Sequence, residues 1–536
     1  MSDTTRVALL SVFDKTGIVE FARALINLGW RIIASGGTAK KLIEEGVEVQ
    51  DVAILVGGGA ILGHRVVTLS REIHAGLIGT RSEADLAELG KLGIPYIDLV
   101  CIDLYPLAEE ITRPGSTRES VIEKTDIGGL TMLRSAAKGR RIVIADPADR
   151  EVVLDWLKAG EPEREQIVTQ LAAKAEGIVA DYCLLSARYH SAGDIDGMIG
   201  TKVQQLRYGE NPWQQQASLF SFGGDDPLAL DKFELVVGTE PSYVNVTDVD
   251  RLLQTVTHIA AAYNLNYHTT PCIAVGGKHG NACGAAVGTE ASTALQNMLT
   301  GDLQAIFGGC VMVNFPIDEA LADVLLHYAI PVGQRRLLDS VVAPEFSSGA
   351  LDKLGRKQGK CRVFQNPALG KLTAQSLDTA DRFRYVRGGF LKQPNYTFIL
   401  DLMDSRIERI PSTLIDQEGV LLAWAIGSTS NSNTITLVGR NWLIANAVGQ
   451  QSRVEAARLA VHKAENAKHN MAGCIAYSDS FFPFVDGVEV LAQAGVNLIV
   501  ASSGSVKDSE VREYCRAHNV SLCLIPDTVA RGFSGH

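Results

Sequence analysis

The chain has 536 residues, 46% of them hydrophobic and 21% charged, and a formal net charge of −11. That length exceeds what one core supports, so two to four domains are expected, and the acidic balance speaks against nucleic acid or an anionic membrane as the main partner. No apolar run reaches the ~18 residues of a membrane span. The opening "MSDTTRVALLSV" lacks a basic leader with a signal-length apolar core, which points to a cytoplasmic protein. The nine cysteines sit in apolar segments, among them Cys101, Cys183, Cys272, Cys310, Cys474 and Cys523, without C-x-x-C or Cys/His pairing. They read as reduced core residues, with no metal site.

"VALLSV" (7–12) has the look of a buried strand. "GIVEFARALINLGW" (17–30) places Ile18, Phe21, Leu25 and Leu28 on one helical face, with Gly29 as its stop. "TAKKLIEEG" reads as the next helix, and strands are expected at "YIDLVCIDLY" (96–105) and "RIVIAD" (141–146). Helices are expected at 131–139, 150–160 and 166–190. Strand, small-residue turn and helix in alternation predict an α/β fold with a parallel sheet. After a boundary near 195–205 the chain again mixes apolar strands with amphipathic helices, and no sequence repeat or low-complexity linker is visible.

Two turns in the first part are suited to an anion. "SVFDKTG" (11–17) puts Lys15 where a strand passes into a helix, and "SGGT" (35–38) offers free backbone N–H groups at the next such junction. No G-x-x-x-x-G-K-[ST] or G-x-G-x-x-G occurs at a suitable place, which gives no support to nucleotide hydrolysis or dinucleotide binding. In the second part, "GGKHGNACGAA" (276–286) sets Lys278 beside His279 among small residues. It is either a glycine-rich turn with incidental polar residues or a substrate site.

The segments "SVFDKTGIVEFARAL", "ASGGTAKKL", "DLYP", "DIGGLTMLRSAAK", "LRYGENPWQ", "KHGNACG", "IFGG", "VGQQSR" and "SDSFFPFVDGVE" occur in that order. With them the chain resembles the bifunctional AICAR transformylase/IMP cyclohydrolase family of purine biosynthesis over essentially its full length. The resemblance implies a methylglyoxal-synthase-like parallel-sheet domain over 1–198 and a transformylase region over 199–536, built of duplicated cytidine-deaminase-like α/β folds. It implies no zinc, because the deaminase ligand pattern is missing. It also implies a homodimer that binds a nucleotide and, as co-substrate, 10-formyltetrahydrofolate.

In such a site neutral His279 would take the proton from the 5-amino group of AICAR as that nitrogen attacks the formyl carbon. Lys278 would meet the developing charge, and a side-chain amide, Asn433 by gapless alignment or Asn431 as the alternative, would orient the base. Arg207, Tyr208, Gly308, Asp339, Phe481 and Arg531 match nucleotide-binding positions, and Asp486 and Ser505 match folate contacts. In the first domain Lys15, Ser35, Gly36, Gly37, Thr38, Arg65, Thr68, Tyr105 and Asp126 match the cyclohydrolase nucleotide site, with Lys138 as its proton-transfer residue.

The sequence also departs from the family pattern. Phe13 replaces a small hydroxyl, Val67 a lysine, Ser70 a histidine, Arg71 a proline and Asp103 an asparagine. Asp103 is expected to add a like charge near phosphate, so ring closure is expected to be impaired or altered unless Arg65 or Arg71 compensates. In the second part Ala282 stands at a family proline, and "GSTSNSN" replaces basic residues. The leading reading is therefore formyl transfer to AICAR. A relative acting on an AICAR-like heterocyclic nucleotide, and a catalytically idle nucleotide-binding paralogue, are the alternatives.

Overall fold

In the computed structural model, which describes residues 5–63, 65–411 and 416–535, the run "VALLS" forms β1 (Val7–Ser11). α1 (Ile18–Asn27), β2 (Arg31–Ala34), α2 (Gly36–Glu44), β3 (Gln50–Asp51) and α3 (Val52–Leu55) follow. Next come α4 (Arg71–Ile78), α5 (Glu83–Lys91), β4 (Leu99–Ile102), α6 (Leu107–Thr112), α7 (Arg118–Glu123) and α8 (Gly128–Lys138). β5 (Ile142–Ile144), α9 (Asp149–Lys158) and the long α10 (Arg164–His190) complete this part, and the chain divides between Thr201 and Lys202 into two compact units.

The five strands make an all-parallel sheet in the order β3-β2-β1-β4-β5. Such a sheet is stable only with both faces covered, which is why β1, β4 and β5 are almost wholly apolar, while the edge strand β3 is Gln50 and Asp51. One face buries Ile18, Phe21, Leu25 and Leu42, and the other buries Ile73, Leu77, Leu133 and Val179. Leu28 departs from the predicted stripe. It lies beyond the last turn of α1 and is exposed, while Gly29 takes the left-handed backbone (φ 83°) that ends the helix. The strand expected over 96–105 is only four residues long, because Asp98 turns its carboxylate to the Val7 N–H (3.1 Å) and Asp103 leaves the ladder.

The second unit contains β6 (Thr201–Gln205), β7 (Ser218–Ser221), β8 (Glu234–Val237), α11 (Tyr243–Tyr267), β9 (Cys272–Lys278), β10 (Asn281–Gly288) and α12 (Ala291–Thr300). β11 (Cys310–Val313), α13 (Glu319–His327), β12 (Ser340–Ala343), α14 (Ser348–Leu354) and β13 (Arg362–Gln365) continue it. A two-stranded ribbon, β14 (Arg382–Val386) and β15 (Gly389–Gln393), leads to β16 (Glu408–Ile410), α15 (Gln417–Ser428), β17 (Ile435–Gly439) and β18 (Trp442–Ala447). The chain ends through α16 (Arg453–Asn466), β19 (Ile475–Ser478), α17 (Asp486–Gln493), β20 (Leu498–Ser503), α18 (Asp508–Ala517), β21 (Ser521–Pro526) and α19 (Asp527–Ala530).

Twelve of these strands form one mixed sheet, β16-β21-β20-β19-β17-β18-β10-β9-β11-β12-β13-β8. Its two halves repeat one connectivity. An antiparallel edge strand leads into a long helix (α11 or α15), then a hairpin, then three parallel strands reached through helices. The halves join where β10 meets β18, antiparallel, at Ala286 and Trp442. α11 and α15 share one core, in which the apolar α15 "VLLAWAI" is fully buried, whereas α12–α14 and α16–α18 each cover an outer core. All nine cysteines are free thiols, but Cys183 on α10 is exposed and Cys272 only half-buried, so the core reading fails for those two.

Where strand and helix approach most closely, glycine is required. A Cβ on Gly284 of β10 would run into the Met298 carbonyl of α12. Gly284→Ala is expected to lower the stability of the full chain by about 1–3 kcal/mol, as overpacking does, measured from denaturant unfolding of wild type and variant.

Candidate active site

In the first unit the polar residues collect at the carboxyl ends of β1, β2 and β4. The chain runs from β1 outward through β2 and β3 on one side and then crosses to β4 on the other side of β1, and an open parallel sheet forms a crevice at such a reversal of order. The Ser11 and Ser35 hydroxyls meet at 2.6 Å, the Val12 N–H donates to the Thr38 hydroxyl (3.1 Å), and the Lys15 ammonium stands 3.9 Å from where a Cβ on Gly37 would be. Lys15, Ser35, Gly36, Gly37 and Thr38 are thus together at the amino end of α2, a place that favours an anion. Lys15 also donates to the carbonyls of Val12 and Phe13, and burial lowers its pKa against the pull of Asp103 and Asp14.

Asp103 does not act as the free like charge expected of it. One carboxylate oxygen accepts from the backbone N–H groups of Phe13 and Asp14, and the other pairs with the buried Arg150 at 3.4 Å, which in turn donates to the Thr16 carbonyl (2.7 Å). The substitution therefore ties down the Lys15 loop. Phe13 and Tyr105 pack edge to face with centroids 5.4 Å apart, both about two-fifths exposed, and the Lys124 ammonium lies 5.5 and 5.8 Å from the two rings.

Thr68 is buried at the start of α8, its hydroxyl 2.6 Å from a Cβ placed on Gly128, and Asp126 accepts from the Gly129 N–H at 2.8 Å. Burial raises the pKa of Asp126. Neither candidate compensator is free: Arg65 pairs with Glu123 (2.7 Å) and Arg71 with Glu72 (3.1 Å). Val67 packs against the core, and Ser70 caps α4 through the Ile73 N–H (3.2 Å). Lys138 lies at the other end of α8 from Gly128. It is the last residue of α8, ten residues beyond Gly128, which the helix rise converts to about 15 Å.

In the second unit Lys278 and Asn281 face each other as the last pair of the β9–β10 hairpin, so His279 and Gly280 are its two-residue turn. Both have left-handed backbone, φ 54° and 73°, the conformation that matches strand twist and that suits glycine at the second place. A histidine in that conformation is uncommon and has to be held. α11 holds it: Asp248 accepts from the Gly280 N–H (2.7 Å), and Arg251, one turn on, donates to the Gly280 carbonyl (3.2 Å). Arg251 is buried and also reaches the Thr429 carbonyl (2.7 Å), the Asn431 amide oxygen (3.3 Å) and the Ser534 hydroxyl (3.2 Å). The Asn281 side chain donates to the His279 carbonyl (3.0 Å) and accepts from the Asn431 N–H (2.9 Å).

Lys278, Gly308 and Asp339 lie by this turn, and the other expected residues of this unit have contacts of their own. The Lys278 ammonium donates to the Phe307 carbonyl (3.0 Å) and stands 3.9 Å from a Cβ placed on Gly308. The Asp339 N–H bonds to the Gly309 carbonyl (3.0 Å), and its carboxylate is 3.5 Å from Arg356. The Arg207 guanidinium is 5.7 Å from its neighbour Tyr208's ring, and the Tyr208 carbonyl accepts from the Tyr243 N–H at the start of α11 (2.9 Å). Phe481 is half-buried, not core, with the Arg531 guanidinium 5.4 Å from its ring, and Arg531 pairs with Asp527. Asp486 opens α17 and Ser505 precedes α18, both beyond the carboxyl ends of the parallel strands.

The two candidate amides differ in their surroundings. Asn433 gives its oxygen to Arg453 (2.7 Å) and its nitrogen to the Gln450 carbonyl (2.9 Å), within a buried network in which Arg453 pairs with Asp479. Asn431, the less favoured alternative, is the one bonded to the hairpin. The sequence reading missed Asp248, Arg251 and Asn281. The i, i+3 spacing of "DVDR" was the available signal for the first two. Among the described residues no three His, Cys, Asp or Glu side chains gather as a metal-holding group, and no helix is long and apolar enough to cross a membrane.

The family model for the AICARFT/IMPCHase bienzyme matches residues 136–463, and that for the MGS-like domain matches 17–131. Among solved structures, the crystal structure of ForH is 37% identical in sequence, aligned over 35% of this chain and 99% of ForH, with a TM-score of 0.32.

Burial raises the pKa of Asp248, against the Gly280 N–H and the charges of His279 and Lys278. A carboxyl raised in the folded state binds more protons there than in the unfolded chain, so stability falls as pH rises from the unfolded value near ~4 through the folded one. Asp248→Asn keeps an acceptor for Gly280 and is expected to flatten that part of the stability–pH curve, read from denaturation midpoints between pH 4 and 7.

Proposed function

The chain belongs to the AICARFT/IMPCHase bienzyme family, and from that premise we propose that its second unit transfers the formyl group of 10-formyltetrahydrofolate to the 5-amino group of AICAR. We further propose that the first unit is a poor IMP cyclohydrolase. The observation that carries the first reading is the clamped turn: His279 at the tip of a hairpin fixed by Asp248, Arg251 and Asn281, beside Lys278, Gly308 and Asp339. A weak aromatic amine needs its proton removed as the new C–N bond forms, and an imidazole suits that task near neutral pH. The oxygen of the tetrahedral carbon gains negative charge in the same step, and an ammonium one residue away stabilises it. Arg207, Tyr208, Phe481 and Arg531 are assigned to the nucleotide, and Asp486 and Ser505 to the folate.

The second reading rests on what the first unit lacks. Val67 can neither donate a hydrogen bond nor carry charge, Arg65 and Arg71 are engaged by glutamates, and Lys138 sits at the far end of α8. One missing electrostatic contact of this type costs about 2.7–4 kcal/mol of transition-state stabilisation.

Purified protein given AICAR and 10-formyltetrahydrofolate is expected to accumulate formyl-AICAR with little IMP, the products resolved by chromatography. No formyl-AICAR from a folded, nucleotide-binding protein would overturn the transferase reading. His279→Ala is expected to lower kcat by about 10²–10⁴-fold with nucleotide binding retained. The pair Val67→Lys and Phe13→Ser is expected to raise conversion of formyl-AICAR to IMP by about 10²-fold; an unchanged rate would refute the account of the impaired site.

A further inference from the structure

Among the described residues, the crevice of the first unit has few cations to spare. Val67 packs against the core, Arg65 and Arg71 are paired with glutamates, and Lys15 donates to the carbonyls of Val12 and Phe13. Lys124, which no motif singled out, is the exception. Its ammonium stands 5.5 Å from the Phe13 ring centre and 5.8 Å from that of Tyr105. The two rings are themselves 5.4 Å apart, so the three groups form a nearly equilateral triangle. Among the described residues that ammonium enters no ion pair or hydrogen bond. Glu110, on which it acts at longer range, gives its carboxylate oxygens to Arg113 (2.9 and 2.7 Å).

Lys124 is placed from behind. The buried Tyr182 hydroxyl of α10 accepts from the Asp126 N–H (2.8 Å) and donates to the Lys124 carbonyl (3.2 Å), so one side chain sets the backbone of both residues. Phe13 follows the end of β1 by two residues and Tyr105 follows the end of β4 by three, which puts the triangle at the mouth of the crevice. Ring faces hold a partly exposed ammonium weakly, and a hydrogen bond to a charged oxygen holds it more tightly. The lysine is therefore available to a ligand that lies along the rings.

We propose that Lys124 is the oxyanion-stabilising residue of the first unit, taking the part that Val67 cannot, for a planar heterocycle lying against Phe13 and Tyr105. The proposal rests on the family reading of ring closure. In that step the carboxamide nitrogen bonds to the formyl carbon and the C=O π pair moves onto the oxygen. The oxygen then leaves as water, with one proton from each of the two nitrogens, and a C=N bond forms. The ammonium stabilises the oxygen while it carries negative charge. Whatever ring closure the first unit performs passes through Lys124.

The test follows conversion of formyl-AICAR to IMP by the full chain as wild type, Lys124→Met and Lys124→Arg, with formyl transfer measured on the same preparations. Lys124→Met is expected to lower the ring-closure kcat by about 10²-fold with KM within about threefold, and Lys124→Arg to keep about a tenth or more of the wild-type rate. Formyl transfer is expected to stay within about twofold in both variants. Where ring closure is too slow to follow, a crystal of the full chain with xanthosine monophosphate decides, because its C2 oxygen stands where the departing oxygen was. The Lys124 ammonium is then expected within about 3.2 Å of that oxygen, with the base against Phe13 and Tyr105. An unchanged rate in a folded Lys124→Met, an arginine variant no better than the methionine one, or a C2 oxygen out of reach of Lys124 overturns the proposal. A wild type that closes the ring fast and loses this in Lys124→Met overturns the reading of an impaired site and leaves Lys124 standing. A chain that closes the ring through Lys124 but transfers no formyl group overturns the transferase reading alone.

Discussion

The second unit depends on what one buried guanidinium joins. Arg251 reaches four separate stretches of chain: the turn after β9 at Gly280, the end of α15 at Thr429, the following loop at Asn431, and the carboxy-terminal segment at Ser534. Moving any of these segments away would cost the guanidinium a partner, and a buried guanidinium left short of partners is strongly destabilising. The constraint therefore acts as a registration device. It fixes the tip that carries His279 relative to the loop preceding β17 and to the segment that carries Arg531, although these lie some 250 residues apart in sequence.

The same economy governs the first unit at a smaller scale. Asp103 looks disruptive in sequence because an acid near an anion pocket repels its ligand. In place, its oxygens are consumed by two backbone N–H groups and by Arg150, and that pairing bridges the ends of β1 and β4. Burial still raises its pKa, so the loop is held by a carboxylate that the site only partly compensates. A residue's charge predicts its effect poorly until its partners are known.

Much of the architecture was legible from residues alone. The parallel sheet followed from short apolar runs alternating with helices, and the phosphate-type turns at Lys15 and at 35–38 lay at adjacent strand ends as their spacing implied. The Lys278–His279 pair stood out among its small neighbours, but only the family resemblance chose between an incidental turn and a substrate site. What stayed hidden were relations set by tertiary contact. The spacing of "DVDR" does not announce that Asp248 and Arg251 grip a hairpin tip. Nor does the sequence announce that Asn431 bonds to the hairpin while Asn433 joins the Arg453–Asp479 network, or that Lys138 stands at the far end of the helix that Gly128 opens. The internal duplication was expected from the family resemblance and not from any visible sequence repeat, for a simple reason: a repeated topology needs only repeated polarity patterns, and the two hairpins, "CIAVGGKHGNACGAAVG" and "ITLVGRNWLIANA", share little else.

That duplication carries a consequence of its own. A chain holding one copy of the pattern would leave the outer strand of its hairpin as a bare edge, and bare edges pair with whatever strand is offered. Two identical copies meeting edge to edge would rebuild the seam now seen between Ala286 and Trp442, with the same turn presented twice. Joining the copies in one polypeptide releases the two turns from having to be alike. One now displays Lys278 and His279, while its counterpart, Arg440 and Asn441, is left to ordinary structural duty. Asymmetry of chemistry is here a product of symmetry of fold.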